Sequence, residues 1–191
     1  MRNLIKYIIL FIPLTTYGQD KELFGYVNVY RVANHVRAVE WSDKLTEERS
    51  TFQIDTLVRK KKETGDTTFI FHNPKGGWEN VVWVGLITSS LGFDVFLDKY
   101  YGLPSFNVHE HVDVIKYIKI HMVYMWSTSP KHNKNMLKKN HKYMGADTSI
   151  KDIRFRDNKV NKIMFGQSKT KHFDSEEPGY LTISFGVINF E

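Results

Sequence analysis

The sequence contains no cysteine among its 191 residues. This absence excludes disulfide bonds, thiolate ligands for a metal and a cysteine nucleophile. Hydrophobic residues make up 41% of the chain and aromatic residues 14%, so we expect a packed core and not a disordered chain. The length is sufficient for one domain, which must be stable without disulfide bonds.

The excess of positive over negative charge is small. The formal net charge is +6, and two of the positive charges, Arg2 and Lys6, lie in a predicted leader, which leaves +4 for the remainder. So few charges, scattered along the chain, predict a solvated and mildly basic surface. The composition therefore argues against a nucleic-acid partner.

The first 18 residues have the pattern of a secretory signal peptide. Arg2 and Lys6 precede an apolar segment, and the small residues Thr16 and Gly18 fit a cleavage site before Gln19. The apolar segment is shorter than the roughly 20 residues that a membrane-spanning helix needs, although an uncleaved N-terminal anchor remains an alternative. No other segment has that length, so we predict a secreted or periplasmic protein with no stable membrane span and one domain at residues 19–191.

Hydrophobic periodicity predicts helices first and strands later in the chain. Apolar residues recur at helical spacing in residues 20–33 and 108–126, and a further helix begins at Ser42-Asp43 and closes in a charged turn at 60–66. Strand-forming residues occupy 67–71, 151–156, 160–165 and 180–190, and the last of these is a candidate central strand. This order predicts an α+β fold, with helices covering a small antiparallel sheet.

The segment at residues 126–137 contains a histidine at the start of a predicted helix. Ser129 followed by Pro130 is a helix-start signal, with a hydroxyl cap before a proline in the first turn. His132 then lies in that first turn, where the helix dipole disfavours the charged imidazolium. We therefore expect a neutral imidazole that could act as a ligand or a base.

Three side chains from two segments could form one chemical site. His72 and Glu79 flank a glycine-rich loop, and His132 lies at the predicted helix start. Two histidines and a carboxylate suit a divalent metal such as zinc. The same groups could instead carry out general acid–base chemistry without a metal.

Four segments of the chain resemble sequence motifs of one family. They are N-x-x-R at residues 28–31, V-x-W-x-x-x-L at 39–45, His72 followed by G-W-E-N at 77–80, and W-x-x-S-P-x-H-x-x-N-x-L at 126–137. In this order they resemble the CAP superfamily of cysteine-rich secretory, antigen 5 and pathogenesis-related proteins, most closely its bacterial SCP-like branch. Gly145 resembles the glycine that precedes the next strand in that family.

The resemblance implies a three-layer α-β-α sandwich with a cleft that holds two histidines and two acidic residues, in some members with a divalent metal. His72, Glu79 and His132 match three of these four positions, and the fourth is Ser129, as in many bacterial members. These three residues are the candidate catalytic residues, and His72 and His132 are the candidate metal ligands. Ser129, Asn80 and Trp126 are the candidate binding residues.

Two functions fit this expected cleft. In the first, the protein is a secreted module that binds a small molecule, a lipid, a peptide or a cell-wall fragment. In the second, it is an extracellular hydrolase in which Glu79 is the base and the two histidines hold zinc and its water. His109 and His111 are interpreted as a polar helix start, or alternatively as an extended segment that brings one of them to the cleft.

Overall fold

Side-chain caps set the beginnings of several helices. The computed structural model describes residues 20–66, 70–74, 77–107, 113–156 and 178–191. Asp20 accepts the Leu23 amide at 2.8 Å, and Ser42, Ser90 and Asp113 accept in the same way at three later helix starts. The helices are α1 Lys21–Ala33, α2 Asp43–Leu45, α3 Phe52–Thr64, α4 Leu91–Tyr101, α5 Val114–Thr128 and α6 Pro130–Met136.

The helix predicted from Ser42-Asp43 is interrupted. It begins at Ser42 as expected, but a π-helical turn, Thr46–Thr51, separates α2 from α3. The helix continues through most of the predicted charged turn at 60–66, and Gly65 closes α3 after Thr64 in the left-handed conformation, with φ 68°. A π-helical turn of this kind often lies at a functional site.

A four-stranded sheet forms the centre of the fold. Its strands are β1 Glu40–Trp41, β2 Trp78–Thr88, β3 Tyr143–Arg156 and β4 Gly179–Phe190, in the order β1-β3-β4-β2. The prediction that the segment 180–190 forms a central strand is confirmed, since β4 pairs antiparallel with both β2 and β3. The prediction of an antiparallel sheet is correct for β2, β3 and β4. It is wrong for β1, which runs parallel to β3. The fold is α+β with a mixed sheet.

Gly145 lies inside β3, whereas the resemblance implied a position before the strand. It pairs with Asn189 of β4. A Cβ atom at this position would lie 2.6 Å from the backbone carbon of Leu45 and would also meet the Thr46 amide. Glycine therefore allows β3 to approach the start of the π-helical turn closely.

Successive residues of β2 belong to different hydrophobic clusters. Val82 and Val84 join the larger cluster, which includes buried residues of α1, α4 and α5. Val81 joins a smaller cluster with Phe185 and Val187 of β4 and with residues of α3. Because neighbouring strand residues point to opposite faces, α3 packs on one face of β2 and α5 on the other.

A buried arginine joins α1 to the segment after α6. The Arg31 side chain has no exposed surface, and its Nε donates to the Arg37 carbonyl at 3.0 Å. Its Nη1 donates to the carbonyls of Met136 and Lys138. A reciprocal pair of hydrogen bonds joins two of the resembling segments. The side-chain Nδ2 of Asn28 donates to the backbone carbonyl of Val39 at 3.0 Å, and its Oδ1 accepts from the Val39 backbone amide at 2.9 Å.

Several predicted features lie outside the described residues. They are the leader at 1–18, residues 67–69 of a predicted strand, His109 and His111, the strand at 160–165, and residues 167–177 of the polar turn. The predicted helix at 108–126 is described from residue 113 onward, where α5 occupies residues 114–128. The strand predicted at 151–156 is longer than expected, since β3 begins at Tyr143.

Candidate functional site

The carboxylate of Glu79 is at the centre of a hydrogen-bonded group at the start of β2. One oxygen lies 2.5 Å from Nδ1 of His72. The other accepts Nε2 of Gln53 at 2.6 Å and the backbone amide of Asn73 at 3.2 Å. The Glu79 side chain is 12% exposed and that of His72 is 64% exposed. Glu79 therefore lies under a solvent-facing imidazole and has both oxygens engaged.

This contact determines which nitrogen of His72 faces outward. An ionised carboxylate can only accept a hydrogen bond, so it favours the tautomer with the proton on Nδ1. The Nε2 lone pair of His72 is then directed away from Glu79. Such a carboxylate–histidine pair orients the ring, whether the outer nitrogen acts as a base or as a metal ligand.

Gln53 was not predicted as part of the site, although it holds Glu79 in place. It lies on α3 with no exposed surface, and its Oε1 accepts a hydrogen bond from the side-chain Nδ2 of Asn189 at 2.9 Å. Asn189 also donates to the Ser50 hydroxyl at 3.0 Å. The Glu79 carboxylate is thereby linked to the buried polar residues between the sheet and the π-helical turn.

Two asparagines connect β2 to α6. The Asn80 amide donates to the His132 carbonyl at 3.1 Å. The Asn135 amide donates to the Glu79 carbonyl at 3.0 Å and to Oδ1 of Asn80 at 2.8 Å. These bonds bring the two motif segments that contain Glu79 and His132 into direct contact. Asn135 was missed as a site residue, although it is three positions after His132 in the motif.

His132 is half-buried and has a lowered pKa, as expected for a neutral imidazole. The physical cause is different from the predicted helix dipole. Burial contributes most to the lowered pKa, followed by the positive charge of Lys131 and then by His72. The effect of His72 indicates that the two candidate histidines are near enough to interact electrostatically.

Ser129 lacks the capping role that the sequence suggested, and Trp126 is almost fully buried. Ser129 is at the N-cap position of α6, but its side chain makes no capping hydrogen bond. Trp126 is a core residue with 1% of its surface exposed, and its Nε1 has no acceptor among the described residues. Both residues line a groove, Ser129 with a hydroxyl and Trp126 from the core side.

The groove lies beside the edge strand β2, next to the junction of α5 and α6. It has a volume of about 360 Å³. Six of its eight lining residues are apolar, and the two polar ones are Ser129 and His132; the apolar ones are Ile70, Val81, Val82, Trp83, Met125 and Trp126. His72 and Glu79 are not among the lining residues, so the groove and the carboxylate–histidine pair are neighbouring features connected through α6 and β2.

The described residues do not fit a three-ligand metal site. They contain no group of three or more histidine, aspartate or glutamate side chains that could hold a metal ion. Both oxygens of Glu79 are already engaged, which leaves His72 and His132 as the candidate ligands. A catalytic zinc usually has three protein ligands. The metal remains a prediction from the sequence.

Comparisons with known proteins give no family assignment. No protein-family model, no curated protein and no solved structure matches the chain. Among the residues that the structure describes, no helix is both long and apolar enough to cross a membrane.

A buried histidine near the site predicts a pH dependence of stability. His141 stacks on Phe190 at 4.7 Å, and its Nε2 lies 3.4 Å from Oδ1 of Asn135. Burial, Arg31 and Lys138 lower its pKa from 6.5 to about 4. Between these values the unfolded chain binds a proton at this position and the folded chain does not. The free energy of unfolding should therefore decrease as the pH falls from 6.5 to about 4.

The His141→Gln variant should lose part of this decrease. Urea unfolding at neutral pH and at about pH 4.5 gives the change in the free energy of unfolding of each protein. Other titrating groups contribute equally to both proteins and cancel in the comparison. An identical pH dependence in the two proteins would show that His141 does not titrate in this range.

Proposed function

We propose that the protein is a secreted ligand-binding module of the CAP superfamily type, with a three-layer α-β-α sandwich fold. The packing of α3 and α5 on opposite faces of β2 supports the layering. The hydrogen bonds between the motif segments support the resemblance, because Asn28 contacts Val39 and Asn80 contacts His132. Residues that the resemblance groups together are thus neighbours in the fold.

The groove of about 360 Å³ is the observation that carries the proposed binding function. Pockets of this size, with mostly apolar walls and a few polar groups, are typical of small-molecule sites. The apolar walls would bind the hydrophobic part of a lipid, peptide or cell-wall fragment, and Ser129 and His132 would orient its polar end. Asn80 contributes by holding the His132 backbone.

Filling the groove with a larger side chain should weaken the binding of an apolar ligand. Met125 lines the groove and is partly exposed, so a Met125→Trp substitution places a large ring there. A pyrene-labelled fatty alcohol, which is uncharged, is a suitable fluorescent probe. We expect at least about a tenfold loss of affinity, corresponding to about 1.4 kcal/mol.

Ile115→Trp is a matched control, since Ile115 is exposed on the same helix and does not line the groove. It should change the affinity for the probe by less than about twofold. Equal affinity in the Met125→Trp variant and the original protein would contradict binding in the groove.

The orientation of His72 favours an acid–base hydrolase as a second candidate function. Its outer nitrogen is held towards solvent by Glu79, as in a general base supported by a carboxylate. Panels of peptide, ester and phosphodiester substrates would detect turnover, which Glu79→Gln should reduce. Stoichiometric zinc uptake that is lost in His132→Ala would support the metal-dependent form, and no uptake at micromolar zinc would exclude it.

A further inference from the structure

Five lysines lie close together in the sequence at and after α6. They are Lys131, Lys134, Lys138, Lys139 and Lys142, all exposed or half-exposed. Lys131 and Lys134 are three positions apart on α6 and so lie on neighbouring parts of one helix surface. The modest net charge of the whole chain therefore conceals a local concentration of positive charge.

These lysines have no ion-pair partner among the described residues. The ion pairs in the described part of the chain involve Lys60, His72 and Lys119, and none involves the five lysines. The lysine charges also act on two nearby histidines: Lys131 contributes to the lowered pKa of His132, and Lys138 to that of His141. Ammonium groups that form no ion pair within the protein are available to attract anions.

An exposed tryptophan contacts one of these lysines. Trp78, at the start of β2, is 50% exposed. Nζ of Lys138 lies 3.3 Å from the centre of its ring, and His141 packs against it with ring centres 5.9 Å apart. Lys138 therefore lies over one face of the indole, and half of the Trp78 surface remains exposed to a ligand. We call Trp78 and the five lysines the lysine–tryptophan surface.

We infer that the lysine–tryptophan surface binds an acidic polysaccharide, whose ring sugars carry carboxylate or sulfate groups. A sugar ring has apolar C–H faces that can pack on an indole, while its acidic groups pair with ammonium groups. A polymer can contact several lysines at once, and such multivalency adds affinity that no single exposed pair provides.

Other polyanions fit this surface less well. Arginine is the preferred residue for phosphate and nucleic-acid recognition, because its planar fork binds phosphate at two points. The segment from residue 130 to residue 142 contains lysine as its only cation apart from histidine. A membrane surface would require several inserted apolar side chains. Besides Trp78, the exposed large hydrophobic residue next to these lysines in the chain is Tyr143, which carries a hydroxyl.

The inference is tested by measuring the affinity of the full protein for polygalacturonate and for neutral dextran. We expect binding to polygalacturonate that weakens as salt is added, and no binding to dextran. The triple variant K131Q/K134Q/K138Q should bind polygalacturonate at least about tenfold more weakly. Trp78→Leu should bind it about five- to tenfold more weakly, while binding of inorganic tripolyphosphate should change by less than about twofold.

The matched control is K44Q/K62Q/K99Q, which removes the same charge from exposed lysines elsewhere. It should lower the affinity for polygalacturonate by less than about threefold. An equal loss in both triple variants would overturn the inference, because binding would then depend on net charge alone. Tighter binding to single-stranded DNA, or to phosphatidylcholine vesicles that contain phosphatidylglycerol, would overturn it in favour of those partners.

Polygalacturonate binding to the lysine–tryptophan surface should not depend on the groove. Met125→Trp should retain polygalacturonate binding, so loss of the fatty-alcohol probe and loss of the polysaccharide are separate outcomes. Loss of polygalacturonate binding in Met125→Trp would overturn the assignment of the polysaccharide to the lysine–tryptophan surface.

Discussion

Replacing Arg31 with leucine is expected to lower the free energy of unfolding by about 3–5 kcal/mol. The guanidinium is fully buried and donates to the carbonyls of Arg37, Met136 and Lys138. Leucine would leave these carbonyls without their donor, and an unsatisfied buried polar group costs about 1–3 kcal/mol. The effect is large because one side chain connects α1 to the segment that follows α6.

Arg37→Leu is the control for this substitution. The Arg37 side chain is exposed, and only its backbone carbonyl takes part in the network. Its removal should change the free energy of unfolding by less than about 0.5 kcal/mol. Urea unfolding with a common slope for all variants gives these differences. A loss below about 1 kcal/mol for Arg31→Leu would show that water replaces the guanidinium at these carbonyls.

Gln53→Leu is expected to destabilise the protein by about 2–4 kcal/mol and to release the Glu79 side chain. Gln53 donates to the Glu79 carboxylate at 2.6 Å and to the Phe71 carbonyl at 3.3 Å, and it accepts from Asn189. Leucine has a similar volume but none of these groups. A carboxylate that loses a charged hydrogen bond in a mostly buried position is strongly disfavoured.

A double-mutant cycle separates this contact from general packing damage. If Gln53 acts through Glu79, the Glu79→Gln substitution should cost much less in the Gln53→Leu background, with a coupling energy of about 1–3 kcal/mol. Arg59→Leu, an exposed change on the same helix, should be nearly neutral. Additive effects of Gln53→Leu and Glu79→Gln would show that Gln53 stabilises the core without positioning the carboxylate.

Local sequence signals predicted the parts of the fold that depend on neighbouring residues. The cap at Ser42 could be identified because capping involves residues within one turn of the chain. The parallel pairing of β1 could not be predicted, because this strand has two residues and is specified by contacts about 100 positions away. Gly145 was misinterpreted for the same reason: its partner, Thr46, is distant in sequence.

The candidate site shows the same limit. Chemically distinctive residues such as His72 and Glu79 could be selected from the sequence, and they are in contact. Gln53 could not be selected, since a polar residue in a helix normally faces water and its burial depends on partners from β2 and β4. The lysine–tryptophan surface was missed because the total charge was considered and not its local distribution.

The position of β4 in the sheet has a consequence for the order in which the protein can fold. β4 lies between β2 and β3 and pairs with both, so neither pair exists until residue 190 has been synthesised. Until then the only strand pairing available among the described residues is the two-residue pairing of β1 with β3. Pairing of β2 with β4 joins segments about 100 residues apart, and such long-range contacts form slowly. This delay would favour the proposed secretion, because a chain with an incomplete sheet is easier to translocate than a folded one.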